Sequence, residues 1–362
     1  MNFVLRITAI NLGLIISVVI LLEIIFGSWI FGPDFGVLNI PRNETRYFDV
    51  SEFIEPGKVI TYTRDRYGFR GGYGGDPSKV DILVVGGSTT NERFLDDKES
   101  WVYQLQRRFK ENGKNVVIAN GAVDGQSSRG HIVAFDLWFP NITALKPRFV
   151  FAYVGINDVA LSKDREKFDE MKSPDFDRRF RQYFLNNSAL YNQFRRIRGA
   201  FVANRTRLMH GANAYRTGTW LAIEEQVDVG QLERELAKRL EAYKRRLRIL
   251  AARIQNIGSA PIFITQPRGD FRRRGNRFEI LVQNVSVIRT EPLDDRTLVT
   301  MNLFNQATLS VCQELNLTCV DLASRINLGN ADFYDQFHTL PSGSKKIASF
   351  LYEELKDVIN DY

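Results

Sequence analysis

Four short stretches of the chain combine residue types that act together in acyl transfer. The first is Gly86-Gly87-Ser88-Thr89-Thr90, a glycine-flanked serine after an apolar run. At a strand-to-helix turn, such a serine presents its hydroxyl to a cleft and its own N–H to a developing oxyanion. The second is the glycine turn from Asn120 through Asp124 and Gly125 to Gln126, whose backbone N–H can donate. The third, Gly155-Ile156-Asn157-Asp158, closes another apolar run with an amide that can donate into the same region. The fourth places Asp335 three residues before His338. That spacing lets the carboxylate hold the imidazole Nδ1–H while Nε2 takes a proton from serine. Each stretch also has a plain structural reading as a phosphate-type glycine turn, a simple turn, a helix cap or an ion pair. The Gly86–Thr90 turn lacks the lysine of a phosphate loop and the spacing of a dinucleotide fingerprint. The chain has three histidines, so His131 and His210 compete with His338 as base, but neither has an acid at the same spacing.

The elements around these stretches decide whether they meet. Apolar runs of strand length lie at 80–85, 115–119, 148–154, 260–265 and 318–322. Helical patterns separate them: 100–110 with Gly113 as a stop, a stripe from Leu232 through Leu236, Leu240 and Tyr243 to Ile257, and a final helix at 342–359. Near-continuous apolar strands alternating with helices predict a parallel sheet covered on both faces, an α/β class. Ligands of such sheets bind beyond the carboxyl ends of the strands. Three of the four stretches follow such strand ends, and the fourth precedes the last helix.

With these residues in order, the sequence resembles the SGNH/GDSL hydrolase superfamily over about residues 80–360. Gly86-Gly87-Ser88 is similar to its nucleophile block, Gly125 to its glycine block, Gly155-Ile156-Asn157-Asp158 to its G-x-N-D block, and Asp335 with His338 to its D-x-x-H block. The resemblance implies Ser88 as nucleophile and His338 as base oriented by Asp335. It further implies an oxyanion hole from the Ser88 N–H, the Gly125 N–H and the Asn157 amide. The implied fold is a three-layer α/β/α, flavodoxin-like domain with a five-stranded parallel sheet. The implied activity is that of esterases, lipases, acetylxylan esterases or O-acyltransferases, without a metal or cofactor. One departure stands out: Gly87 occupies the position where the family has an acidic residue.

The remaining sequence sets the context. At 362 residues, with 44% hydrophobic and 25% charged residues, the composition excludes disordered, collagen-like and disulfide-scaffold chains. Residues 7–32 are apolar apart from Glu23 and are long enough to span a bilayer. Bulky residues Trp29 and Phe31 at the far end fit an uncleaved signal anchor better than a cleavage site. The expected organisation is a cytoplasmic tail and anchor at 1–32, a linker and irregular flap at 33–78, and the hydrolase-like domain at 79–362. A basic helical insertion lies within the latter at about 159–230, rich in Arg178, Arg179, Arg181, Arg195, Arg196 and Arg198. The expected partners are the lipid bilayer, through residues 7–31, and an acylated glycan or lipid, with nucleic acid excluded by the anchor. Net charge +7 and a second basic cluster, Arg272 to Arg277, suit an acidic substrate or a solvated loop equally. Cys312 and Cys319 are either a pair or separate core thiols. The reading is a membrane-anchored serine esterase acting on O-acetyl esters of envelope or extracellular glycans, its domain on the non-cytoplasmic side. The alternatives are an O-acetyltransferase, a lipase or lysophospholipase, and a catalytically silent glycan- or membrane-binding scaffold.

Overall fold

The computed structural model describes residues 3–30, 40–52, 54–159, 161, 187–191, 193–194, 197, 218–282 and 292–360. The chain divides into two compact units, one of Met1–Asn39 with Lys167–His210 and one of Ile40–Glu166 with Gly211–Tyr362. The first contains helix α1 (Phe3–Phe26), and its 22 residues Leu5–Phe26 are long and apolar enough to cross a membrane. Within this unit the Glu23 carboxylate accepts from Trp29 Nε1 at 2.9 Å, Ser188 Oγ at 2.7 Å, and the N–H groups of Ala189 and Leu190 at 2.9 and 3.2 Å. Glu23 therefore has hydrogen-bond partners inside its own unit rather than only a headgroup layer to reach.

The second unit is built on five parallel strands: β3 (Ile82–Gly86), β4 (Ile118–Asn120), β5 (Phe149–Tyr153), β7 (Ala260–Ile264) and β10 (Thr318–Val320), ordered β10-β7-β5-β3-β4. Each expected strand is present, with ends shifted by up to three residues. Period-two alternation sends Ile82 and Val84 of β3, Phe149 and Phe151 of β5, and Ile262 and Ile264 of β7 into one core layer. There they meet Trp101, Leu105 and Phe109 of α3 (Trp101–Glu111) and Ile347, Leu351 and Leu355 of α9 (Pro341–Asn360). α3 starts where Ser100 Oγ caps the Tyr103 N–H. On the other side, α6 (Val229–Asn256) packs against α4 (Ser128–Leu137) and α7 (Arg296–Leu315). The leucine stripe of α6 is buried at Leu232, Leu236, Leu240, Leu247 and Leu250. The architecture is thus the expected mixed α/β, with a five-stranded parallel sheet.

Two regions differ from the sequence reading. The segment read as linker and flap is partly regular, because β1 (Glu44–Asp49) and β2 (Val59–Arg64) pair antiparallel. Ile60, Tyr62 and Arg64 alternate inward on β2, and the inward arginine hides the pattern from a hydropathy reading. The basic run Arg272–Arg277 is not a loop. It forms the hairpin of β8 (Phe271–Arg274) and β9 (Arg277–Val282), joined through Gly275 at φ 62°, with β6 (Thr219–Ala222) pairing on β9. Cys312 and Cys319 form a disulfide between α7 and β10, their Cα atoms 6.1 Å apart.

Candidate active site

Ser88 opens the short helix α2 (Ser88–Asn91) at the carboxyl end of β3, the strand between the central β5 and the edge strand β4. The two glycines before it are closely approached by side chains. A Cβ on Gly86 would lie 2.2 Å from Thr90 Oγ1, and one on Gly87 would lie 2.2 Å from Asn157 Nδ2. At Gly87, where the resemblance led to an acidic residue, the Asn157 amide occupies the space a side chain would fill. As first residue of a helix, Ser88 has an N–H outside the intrahelical ladder. Among the described residues, neither that N–H nor the N–H of Gly125 has a protein acceptor.

His338 lies 250 positions later in the chain, yet its Nε2 is 2.7 Å from Ser88 Oγ. Its Nδ1 is 2.6 Å from Asp335 Oδ2. The other carboxylate oxygen, Oδ1, accepts the N–H groups of Phe337 and His338 at 2.9 and 2.8 Å, which fixes the carboxylate in the turn that carries the imidazole. Tyr334 stacks on the imidazole with ring centroids 5.5 Å apart and planes 13° apart. The imidazole is buried, whereas Ser88 is half-buried and reachable from solvent.

Asn157 begins at the end of β5, in helix α5 (Ile156–Val159), after Gly155 at φ 126°. Its Nδ2 donates to the Gln126 carbonyl at 3.0 Å, one residue past Gly125, which is itself left-handed at φ 71° and exposed. The Ser88, Gly125 and Asn157 segments thus converge. Two buried groups bind them. Asp158 accepts from the Ser128 N–H at 3.0 Å and pairs with Arg246 of α6 at 3.1 Å, while Arg246 Nε donates to Ser128 Oγ at 2.7 Å. Burial raises the Asp158 carboxyl, against the Arg246 charge and the Ser128 hydrogen bonds that lower it. Gln266, just past β7, accepts the Ile156 N–H at 2.7 Å and donates to Thr89 Oγ1 at 2.9 Å.

His131 is not brought to Ser88. His131 is buried in α4 with Nδ1 3.0 Å from Gln126 Oε1, and burial pushes its imidazole down to about 3. His210, with Arg178, Arg179, Arg181, Arg195, Arg196 and Arg198, lies outside the described residues. Sequence reasoning missed Arg64 and Arg70, both buried against the nucleophile turn. Arg64 Nη2 donates to Asn91 Oδ1 at 2.8 Å and to the Ala122 carbonyl at 2.6 Å. Arg70 donates to the carbonyls of Asn91, Glu92 and Leu95, the last at 2.6 Å. The only sequence signal was a Gly-rich, Arg-bearing stretch, which normally marks an exposed loop. Among the described residues, no His, Cys, Asp and Glu group could hold a metal ion.

No family model and no curated protein matches the chain. The solved structures similar to it are consistently GDSL-type esterases and lipases. TesA is 13% identical, with 76% of this chain and 98% of that one covered at a TM-score of 0.42. The psychrotrophic esterase EstA from Pseudoalteromonas sp. is 12% identical, covering 77% and 98% at 0.41. The acetylxylan esterase Axe2 from Geobacillus stearothermophilus, as a catalytic mutant, is 13% identical, covering 76% and 93% at 0.41. At this level the likeness carries no activity over to this chain; the chemistry available to it lies in Ser88, His338 and their partners.

Proposed function

We propose that the protein is a membrane-anchored serine esterase that cleaves acyl esters, O-acetyl esters of envelope or extracellular glycans in particular. The carrying observation is the continuous chain from Ser88 Oγ to His338 Nε2 at 2.7 Å and from His338 Nδ1 to Asp335 at 2.6 Å. In this reading Ser88 Oγ attacks the ester carbonyl as His338 Nε2 takes its proton. The Asp335 carboxylate stabilises the imidazolium that forms. The N–H groups of Ser88 and Gly125 and the Asn157 amide face the oxyanion. Collapse breaks the ester C–O bond, and the imidazolium returns the proton to the departing alcohol. Water then attacks the acyl-serine by the same route, releasing the acid and restoring Ser88.

The glycan assignment draws support from the hairpin beside the His338 loop. Gly269, at its root, donates its N–H to the Gln336 carbonyl at 2.9 Å, and Leu281 of β9 shares a small core with Phe333. Arg272 is matched by Glu279 at 2.6 Å, but Arg273, Arg274 and Arg277 are exposed, with Arg274 directly opposite Arg277. Like charges opposed across a strand pair are unfavourable unless an anion intervenes. An acidic polymer esterified near Ser88 supplies one. The disulfide between Cys312 and Cys319 supports an oxidising, non-cytoplasmic location for this unit.

The test is turnover of a small activated acetyl ester together with fluorophosphonate labelling. Ser88→Ala and His338→Ala should lose at least ~10⁴-fold in kcat, and Asn157→Ala about 10²–10³-fold. Full activity in Ser88→Ala, or labelling elsewhere than Ser88, overturns the mechanism. Surface-glycan acetylation in a Ser88→Ala strain then separates outcomes. Excess acetyl means esterase, deficient acetyl means transfer to a sugar, and unchanged glycan with altered lysolipid means a lipase.

A further inference from the structure

Glu92 follows α2 immediately and is 2% exposed, in a left-handed conformation at φ 45° and ψ 51°. A non-glycine residue held there is strained, and such strain persists only where several contacts over-determine it. The contacts around Glu92 run in four directions. Its N–H donates to the Ser88 carbonyl at 2.7 Å and closes the nucleophile turn. Its carbonyl accepts from Arg70 Nη1 at 2.9 Å. Its Oε2 accepts the N–H of Trp101, the first residue of α3, at 2.7 Å. Its Oε1 accepts from Thr339 Oγ1 at 2.7 Å and from Ser344 Oγ in the first turn of α9. Thr339 is the residue after His338. One side chain therefore joins the backbone that carries Ser88 to the backbone that carries His338.

We infer that Glu92 is a positioning residue, setting the distance between Ser88 Oγ and His338 Nε2 by tying the nucleophile turn to Thr339 and Ser344. The inference rests on the esterase reading above. Glu92 itself does not touch the substrate; it acts through the two residues it spaces. Its length is the operative property. An aspartate is one methylene shorter and cannot reach Trp101 and Thr339 together. A glutamine keeps the length. Its oxygen can accept from Trp101 while its NH₂ donates to the two hydroxyls, which accept as readily as they donate. Burial pushes the Glu92 carboxyl up to about 7, against hydrogen bonds from Ser344 and Thr339 and the charge of Arg70. An uncharged amide is accordingly a close mimic.

The experiment uses the full-length chain in detergent with a small activated acetyl ester. Misplacing a catalytic pair by around 1 Å costs on the order of 10²-fold. Glu92→Asp and Thr339→Val should therefore lower kcat by roughly 10–100-fold with KM unchanged, and slow fluorophosphonate labelling of Ser88 in parallel. Glu92→Gln should stay within about threefold of wild type, rescuing what Glu92→Asp loses. Thr339→Val preserves side-chain shape, so it decides the matter if Glu92→Asp does not fold. A kcat within about twofold of wild type in Thr339→Val, or a loss carried by KM, overturns the inference, whatever happens to the melting temperature. A fully active Ser88→Ala would instead remove the esterase reading on which it stands.

Discussion

At Gly87 the missing side chain is what lets the Asn157 amide reach the nucleophile turn. A Cβ there would sit 2.2 Å from Asn157 Nδ2 and 3.4 Å from the Gln126 carbonyl, so any other residue displaces the amide. Asn157 is half-buried and able to swing outward, which makes the displacement local rather than unfolding. Gly87→Ala should therefore lower kcat on an acetyl ester by about 10²–10³-fold, the usual loss for one oxyanion donor, with little change in KM. An unchanged kcat would remove Asn157 from that role. The two histidines described in this unit also separate at this scale. His131 is sealed in the core, where burial drives it down to about 3, so it is neutral at physiological pH and 3.0 Å from Gln126 rather than from a nucleophile. His338 touches both an acid and a serine.

The elements that hold the site are the parallel sheet and the β1–β2 segment before it. Strand ends of β3 and β5 deliver Ser88 and Asn157, and the turn before α9 delivers His338. The preceding segment delivers Arg70, fully buried, whose guanidinium meets the carbonyls of Asn91, Glu92 and Leu95 and the Asp97 carboxylate at 3.2 Å. Arg70→Met leaves those carbonyls buried without a donor and Asp97 without its counter-charge. Removing one partner of a buried charged network costs about 3–5 kcal/mol. Urea unfolding of the variant should show a loss of that size, with residual activity falling alongside. A loss under about 1 kcal/mol would make β1 and β2 an ornament on the domain rather than part of it.

For the whole molecule, the expectation is a two-part device, an anchor and a hydrolytic domain. The 24-residue α1 spans roughly 36 Å, which exceeds the hydrocarbon thickness of a bilayer. Side chains such as Ile10, Leu14, Ile20 and Ile24 are exposed along it, as a lipid-facing helix requires. The full-length chain should sediment with membranes, resist high-salt extraction and be released by detergent, while a variant lacking residues 1–39 should be soluble. Protease added to intact spheroplasts should digest residues 40–362. Full protection until lysis would reverse the orientation, and release by salt alone would leave only an electrostatic attachment to account for, consistent with the net charge of +7.

The sequence alone determined the five parallel strands, the helices over 101–111, 229–256 and 341–360, the helix at the amino-terminal end and the short stretches from which chemistry could arise. Apolar runs of strand length and a 3.6-residue stripe are local properties that burial on a covered sheet imposes directly. Only the tertiary structure decided what those stretches touch. The 2.7 Å approach of His338 to Ser88 joins positions 250 apart, a distance no local pattern encodes. That the Asn157 amide lies in the space beside Gly87 is likewise visible only in the fold. Nothing local marks Arg64, Arg70 and Glu92 as buried, because burying a charge is costly unless partners arrive from elsewhere in the chain. Those partners come from Asn91, Ala122, Leu95, Thr339 and Ser344, and only the folded sheet brings them together.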